Sequence, residues 1–363
     1  MPPPIAPAIE ALATDWFDDS ISASEIRLAA RVGSTAYEAL CEVVLTAGQM
    51  DSFRTLMASS DFFVEQVGRQ SAYLCHALAE GTLLATREWT TEQWDAAFAI
   101  LNAPDATESD CLAALRTFRH RHLVRMLWRE AAQLATVEDT FAELSALADC
   151  CVRAAVAFSV AALRPKYGLP MGQESGDEQS LVVLAMGKLG GNELNLSSDI
   201  DLIFAYPEAG ETEGGRQRLA NQSYFIRLGQ MVIRLLDAVT EDGFVFRVDM
   251  RLRPYGDSGA LVGSFNALEL YYQEQGREWE RYAMVKARPI TGTAAAKTSL
   301  MSMLSAFVYR RYTDFSVIAA LRNMKSMMRA EVARLGIDAD VKRGSGGIRE
   351  IEFIAQSLQL IHG

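Results

Sequence analysis

Apolar residues recur at intervals of three and four through the first part of the chain, and this spacing predicts amphipathic helices. Residues 29–45 and 62–84 follow it loosely, and Asn102-Ala103-Pro104-Asp105 is expected to end a helix. The clearest stripe comprises Leu134, Val137, Phe141, Leu144, Ala148, Cys151, Ala155 and Phe158. The pattern predicts a helical region over residues 1–165.

The pattern changes after residue 165. Residues 166–178 are polar, with three glycines and a proline, and are expected to form a loop or linker. Short apolar runs at Ser180–Ala185 and Leu202–Ala205 predict buried strands, and Phe244–Arg253 alternates strictly between apolar and polar residues, as a half-exposed strand does. The fold class that follows is α+β, with a small mixed sheet in a catalytic domain over residues 166–295.

Helical spacing returns at Asn221–Val239 and again from Leu300 onward, so residues 296–363 are predicted to form a C-terminal helical region. A second stripe comprises Val317, Leu321, Met324, Met328, Val332 and Leu335, in which the two methionines are expected to fill the core. The sequence stops at Gly363 within an apolar helical pattern, which suggests a truncated region of a longer protein.

Composition narrows the class of protein. The formal net charge of −11 over 363 residues disfavours a general nucleic-acid binder and an anionic membrane surface as partners. The N-terminus lacks a signal-peptide pattern, and no apolar stretch is expected to approach the roughly 20 residues of a membrane span. Five cysteines without a CxxC pair indicate reduced thiols in a cytoplasmic protein, and the four histidines lack zinc-ligand spacing.

One basic run stands out in the helical region. It comprises Arg116, Arg119, His120, Arg121, His122 and Arg125. Runs of charge usually mark a solvated surface, so we interpret it as an exposed helix face.

The most informative segment joins an apolar run, a glycine turn and a pair of aspartates. Leu181–Ala185 precedes Gly187-Lys188-Leu189-Gly190-Gly191, and Asp199 and Asp201 follow. Alternate residues of an extended segment share a face, so the two carboxylates could hold a divalent metal together. The turn offers N–H groups to a phosphate. This layout is typical of metal-assisted nucleotidyl transfer.

Other interpretations of this segment are weaker. Ser198-Asp199 could instead cap a helix, and Lys188 could contact a phosphate or simply be exposed. Walker A, GxGxxG and EF-hand spacings are absent from the sequence.

Phe244–Arg253 carries a second set of candidate residues on its polar face. Asp249 could complete a trio with Asp199 and Asp201, and three carboxylates in proximity call for cations. Two Mg²⁺ ions about 3.5–4 Å apart are the usual solution in this chemistry. The polar face also holds three arginines, Arg247, Arg251 and Arg253, which could bind phosphate oxygens. The alternative is a solvent-facing strand with a local salt bridge.

Two later segments remain open to two interpretations each. In Tyr271–Arg288, Lys286 and Arg288 could reach a second phosphate with Glu280 orienting one of them, or the segment could be an exposed helix with ion pairs. Gly344–Phe353 is either a plain helix start or a second loop that closes over the site.

Together these motifs resemble the bifunctional glutamine synthetase adenylyltransferase/adenylyl-removing enzymes. The resemblance covers about residues 110–363. It is carried by Gly187–Phe204, Arg247–Pro254, Tyr271–Arg288 and Gly346–Phe353. Asn195–Ser198 and the stretch Tyr271–Tyr282 are more similar to the N-terminal, adenylyl-removing half of that family.

The resemblance implies a polymerase-β-like nucleotidyltransferase domain that removes AMP from a tyrosine of glutamine synthetase, with orthophosphate consumed and ADP released. It also implies ATP in the forward reaction and regulation by a PII-type nitrogen signal protein. On this basis Asp199, Asp201 and Asp249 would bind Mg²⁺. Gly187 and Ser198 would contact the nucleotide phosphate, and Arg251 and Arg253 would position a phosphate. Forward adenylylation and a non-catalytic docking scaffold remain alternatives.

Overall fold

A computed structural model describes residues 5–85, 106–309, 315–337 and 339–362. Its helices and strands confirm the α+β class. The described residues divide into two compact units, one comprising those up to Cys150 with Thr240–Val245, the other comprising Cys151–Val239 and the residues after Val245. The division falls within one long helix rather than near residue 165. The domain boundaries expected at 165 and 295 stay predictions.

The first unit is helical. Its helices are α1 Ile5–Val32, α2 Ser34–Thr46, α3 Met50–Ser59, α4 Asp61–Ala79, α5 Glu108–Ala131 and the beginning of α6, Val137–Tyr167. Phe53, Phe63 and Trp128 form its aromatic centre, with ring centroids 5.4–5.9 Å apart. The Trp128 indole N–H donates to the Ser52 hydroxyl at 3.1 Å, which satisfies the one polar group of that ring. The predicted helix end at 102–105 lies outside the described residues.

The basic run in α5 is not a solvated face, and the prediction was wrong. Arg116, His120 and Arg125 are buried. The Arg116 guanidinium donates to the carbonyl oxygens of Gly243 and Leu112, both at 2.8 Å, and Arg125 is ion-paired with Glu143. A guanidinium carries five N–H donors, so it can be buried when carbonyl and carboxylate oxygens surround it.

The second unit contains a five-stranded mixed sheet. Its strands are β2 Val182–Ala185, β3 Ile200–Tyr206, β5 Val248–Asp249, β6 Val262–Ser264 and β7 Arg288–Pro289. Strand β2 pairs antiparallel with β3 and with β7. Strands β5 and β6 both run parallel to β3, β5 along its beginning and β6 along its end. Strands β2 and β3 are almost wholly buried, as their apolar sequences predict.

One strand of a separate two-stranded ladder lies within the predicted linker. Strand β1, Gly168–Gly172, pairs antiparallel with β4, Gly210–Gly214. Residues 166–178 were therefore wrongly predicted as a loop throughout. The high glycine and proline content concealed a strand whose partner lies some 40 residues later, a contact that local composition does not report.

Helices complete the second unit. They are α7 Gly187–Gly190, α8 Asn221–Asp237, α9 Phe265–Glu274, α10 Glu278–Met284, α11 Ala294–Val308, α12 Phe315–Leu335 and α13 Ile348–His362. Leu300, Leu304, Leu321 and Phe353 share a core with apolar residues of β2 and β3. Met324 and Met328 pack against this core, as the sequence predicted.

The predicted strand Phe244–Arg253 is mostly irregular, because only Val248–Asp249 pairs with the sheet. Val245 and Phe246 are both buried, which breaks the alternation that the sequence suggested. After the strand, the Asp249 carboxylate accepts the Arg251 main-chain N–H at 2.8 Å and turns the chain away. The arginines of this segment therefore do not share one strand face.

Helix α6 is long and apolar enough to cross a membrane by length and composition alone, contrary to the expectation from the sequence. Half of its apolar window is buried within the structure, as in the core helix of a globular protein, so a single such helix is weak evidence for a span. The cysteines match the prediction more closely: all five are thiols rather than disulfides, and Cys111, Cys150 and Cys151 are buried.

The buried His120 makes the stability of the first unit depend on pH. Burial, followed by Arg119, Arg69 and Arg116, lowers its pKa from 6.5 to about 4. Between these values the unfolded chain binds a proton that the folded chain does not, so stability falls as the pH falls through this range. From pH 7 to pH 5, we expect this histidine to account for a loss of about 2 kcal/mol.

The measurement is urea unfolding at both pH values, followed by tryptophan fluorescence. His120→Gln should lose less stability on acidification than the unmodified chain. His76→Gln removes an exposed histidine of the same unit and serves as the control. Equal pH dependence in all three proteins would contradict the assignment.

Candidate active site

The glycine turn places a main-chain loop directly beside an aspartate. Gly187 has a φ of +54°, and a β-carbon there would lie 2.8 Å from the Asp201 carboxylate. The Met186 N–H donates to the Asp201 carbonyl oxygen at 2.9 Å, which ties the start of the turn to β3. Glycine at 187 therefore meets both the backbone conformation and the close approach.

Parallel pairing of β3 and β5 brings two of the predicted carboxylates together. Asp201 and Asp249 are register partners, and neighbouring residues in register project from the same face of a sheet. Asp199 lies two residues before Asp201 along the chain. Burial, then Asp249, then Asp199 raises the pKa of Asp201 to about 6. The three predicted aspartates thus share one electrostatic environment.

Two arginines compensate this negative charge. Arg247 is ion-paired with Asp199 and donates to the Ser197 carbonyl oxygen at 2.7 Å. The Arg251 Nε donates to both Asp249 oxygens, at 2.8 and 3.0 Å, and these hydrogen bonds lower the pKa of Asp249. The local salt bridge that the alternative interpretation predicted is therefore present, but its carboxylate, that of Asp249, is one of the three clustered aspartates.

An open cavity of about 880 Å³ adjoins the cluster. It is lined by eight of the predicted site residues: Gly187, Lys188, Ser198, Asp199, Asp201, Asp249, Arg251 and Lys286. The Lys188 ammonium group donates to the Asn195 side-chain oxygen at 3.1 Å, and Ser198 contacts the same oxygen. The partner of Lys188 in this contact is therefore neutral and does not compensate the positive charge of the ammonium group.

The structure places the other two predicted residues, Arg253 and Arg288, outside the cavity lining. Arg253 donates to the Met250 carbonyl oxygen at 2.8 Å. Arg288 donates to the carbonyl oxygens of Leu189 at 2.9 Å and Gly190 at 3.3 Å. Arg288 thus holds the end of the glycine turn in place, whereas the sequence predicted contact with a phosphate.

The segment Tyr271–Arg288 fits neither interpretation completely. Glu280 is buried and accepts the Tyr271 hydroxyl at 2.7 Å and the Arg277 N–H at 2.8 Å, so it caps α10 instead of orienting Lys286. Arg281 is also buried, and it donates to the Val308 carbonyl oxygen at 2.8 Å. The expected exposed helix is wrong for these two residues, because their polar atoms are satisfied inside the unit.

Lys286 connects two walls of the cavity. Its ammonium group lies 2.9 Å from the Glu193 carboxylate and 3.8 Å from that of Glu352 in α13. Only about 14% of its side chain is exposed, so these ion pairs are partly shielded from water.

Helices α12 and α13 supply most of the second wall, which the sequence reasoning largely missed. The additional lining residues are Trp279 and Tyr282 of α10, with Met324, Met328, Lys342, Ile348, Arg349, Glu352, Phe353 and Gln356. Tyr282 and Phe353 stack with ring centroids 5.5 Å apart. In the sequence, the glycine-rich segment Gly344–Gly347 was the one signal of this wall. It leads into α13, whose first turns line the cavity.

The carboxylates suit Mg²⁺ in kind, because magnesium prefers oxygen ligands and a divalent cation would relieve the repulsion around Asp201. Within the described ranges, however, no three His, Cys, Asp or Glu side chains converge with metal-ligating geometry. The pairing of Asp199 and Asp249 with arginines accounts for this, since their oxygens face guanidinium groups. The donor set fits a metal, and ligation would require these ion pairs to rearrange.

A small mixed sheet with aspartates on adjacent strands, a glycine turn beside them and cations around one cavity define the nucleotidyltransferase class of site. The family model for glutamate-ammonia ligase adenylyltransferase matches residues 50–303, and that for GlnD PII-uridylyltransferase matches residues 322–363. The chain belongs to the glutamate-ammonia ligase adenylyltransferase family.

The similar curated proteins are named bifunctional glutamine synthetase adenylyltransferase/adenylyl-removing enzyme. That of Pseudomonas aeruginosa is 51% identical over 321 residues, which is 87% of this chain and 32% of the relative. That of Nitrosococcus oceani is 58% identical over 258 residues, covering 71% of this chain and 27% of the relative. The chain spans about a third of the length of the curated relatives it matches.

The glycine turn offers a direct test of how closely its backbone is packed. A methyl group on Gly190 would overlap the Lys286 carbonyl oxygen and lie 2.7 Å from that of Ala185. Ala185 belongs to β2 and Lys286 lies two residues before β7, so both obstacles are main-chain atoms rather than flexible side-chain ends. We expect Gly190→Ala to lower the free energy of unfolding by about 3 kcal/mol.

Gly191→Ala is the matched control, because its added methyl group would meet only flexible side chains, Glu193 at 2.9 Å and Lys286 at 3.3 Å. Thermal unfolding of both variants gives the comparison. Equal stability losses at the two positions would show that packing at Gly190 is not the constraint.

Proposed function

We propose that this chain removes AMP from an adenylylated tyrosine of glutamine synthetase by phosphorolysis. The observation that carries the proposal is the cavity in which Asp199, Asp201 and Asp249 lie beside the Gly187 turn. The names of the relatives support the protein substrate, and the sequence resemblance to the adenylyl-removing half supports the direction. ADP and unmodified tyrosine would be the products.

The proposed reaction balances without an oxidant or reductant. An oxygen of orthophosphate forms a bond to the AMP phosphorus, and the bond from that phosphorus to the tyrosyl oxygen breaks. The tyrosyl oxygen takes a proton, which hydrogen phosphate can supply overall. Both reacting phosphates are anions, so the site must lower their mutual repulsion before the new bond can form.

Different residues of the cavity would bind the two phosphates and lower their mutual repulsion. Lys188, with main-chain N–H groups of the Gly187 turn, would bind the nucleotide phosphate. Asp199, Asp201 and Asp249 would hold Mg²⁺, which when bound supplies positive charge to the phosphate oxygens. Arg251, next to Asp249, would orient a phosphate oxygen once its carboxylate partner binds the metal.

One alternative has specific support. Forward adenylylation with ATP would use the same cavity, and the relatives' names include that activity. The other, a docking scaffold, is disfavoured, because it would need none of the clustered carboxylates, whose burial and mutual repulsion raise the pKa of Asp201. The match of residues 322–363 to GlnD PII-uridylyltransferase supports a PII-type protein as a regulatory partner. We propose that the protein acts in the cytoplasm, with glutamine synthetase and a PII-type protein as its partners.

The deciding experiment incubates the purified chain with adenylylated glutamine synthetase, Mg²⁺ and orthophosphate, and detects ADP by chromatography. We expect phosphate-dependent ADP that is lost on chelation of Mg²⁺. Transfer of AMP from ATP to unmodified glutamine synthetase, without ADP from the adenylylated form, would establish the forward direction instead.

Asp201→Asn tests the assigned carboxylate. The change preserves shape and removes a charge from a crowded cluster, so the fold should survive while ADP formation falls at least about 100-fold, or about 2.7 kcal/mol. Asp257→Asn is the control, because Asp257 is exposed and lies outside the cavity lining. Full activity in Asp201→Asn would refute the assignment.

A further inference from the structure

The cavity is lined by six cations with different partners. Arg247, Arg251 and Lys286 each form an ion pair with a carboxylate, on Asp199, Asp249 and Glu193 respectively. Lys188 has a neutral amide partner. The remaining two cations, Lys342 and Arg349, come from the opposite wall.

Lys342 and Arg349 have no carboxylate partner within the part of the chain that the structure describes. Lys342 precedes α13 and is close enough to the aspartates to oppose the rise in the pKa of Asp201. Arg349 lies in the first turn of α13, and its charge acts on the Tyr282 hydroxyl of the same cavity. Both side chains are solvent-exposed and available to a ligand.

We propose that Lys342 and Arg349 bind the attacking orthophosphate, on the wall opposite the aspartates. This inference rests on the proposed function and adds two residues to it. Arg247 and Arg251 are ion-paired with those carboxylates, and Arg251, once released by the metal, is already assigned to one phosphate, so the second anion needs cations from elsewhere. A guanidinium and an ammonium group without carboxylate partners match the charge and hydrogen-bonding capacity of inorganic phosphate.

The start of α13 does not supply the anion site through its main chain. The N–H groups of Ile348, Arg349 and Glu350 already donate to the carbonyl oxygens of Val341, Lys342 and Gly347, at 3.0 Å each. Phosphate affinity would therefore come from side chains. A substitution of Arg349 should remove it without disturbing the helix.

The position of these residues is fixed by contacts of the neighbouring Glu350 and Phe353. Glu350 accepts the Gly346 N–H at 2.6 Å and is ion-paired with Lys325 of α12, which fixes the turn before α13. Phe353 packs into the core of the unit and stacks on Tyr282. The two cations are thus carried on an anchored segment.

The test measures binding of inorganic phosphate to the whole chain by calorimetry, together with the KM for phosphate in the ADP-forming reaction. Arg349→Gln and Lys342→Gln should each weaken phosphate binding and raise its KM about tenfold, and the double variant should lose more. The KM for adenylylated glutamine synthetase should stay unchanged. Arg349→Lys should retain part of the affinity, because it keeps the charge and loses the planar fork.

Arg334→Gln is the matched control, because Arg334 is an exposed arginine of α12 that pairs with Glu331 outside the cavity. Phosphate affinity within twofold of the unmodified chain in the double variant would overturn the inference. So would an equal loss in Arg334→Gln, or absence of phosphate binding by the unmodified chain. Phosphate binding that depends on Arg349 without any ADP formation would retain the anion site and refute the proposed function.

Discussion

Pairing of β5 alongside the start of β3 is the constraint on which the candidate site depends. It places the carboxylates of Asp201 and Asp249 on neighbouring strands in register, where they repel one another in partly buried surroundings. The chain compensates with guanidinium groups that belong to the residues flanking β5. Because these arginine side chains are exposed, the carboxylates could exchange partners, which the proposed binding of metal and phosphate requires.

The same constraint explains the glycines around the turn. The main chain at Gly187 must pass close to the Asp201 carboxylate, and Gly190 must pass close to the Lys286 carbonyl oxygen. Arg288 then binds the carbonyl oxygens at the end of the turn. A closely packed backbone at this position would present the turn to the proposed phosphate ligand without first having to be ordered, as a flexible one would.

Cationic side chains serve two different purposes in this protein. In the first unit, the buried Arg116 uses main-chain carbonyl oxygens as partners and so fixes one segment against another. In the second unit, the buried Arg281 does the same at the end of α11. Most cations of the cavity differ: apart from the bond of Arg247 to the Ser197 carbonyl oxygen, their partners are side chains or are absent among the described residues. Charge that is already bonded to the backbone stabilises structure, and charge that is not remains available to a ligand.

The sequence by itself determined the local features of the site. Asp201 lies in β3 and Asp199 directly precedes that strand, the glycine turn comes before both, and the apolar strands β2 and β3 occur where short apolar runs predicted them. These features depend on neighbours within a few residues. Tertiary structure decided the rest, including the short extent of β5, the strand within the predicted linker and the direction of Arg253 and Arg288. It also decided that Lys342 and Arg349 line the same cavity as Asp201, although they lie about 140 residues later in the chain. Their proximity depends on packing of α12 and α13 against the core, which no local spacing encodes.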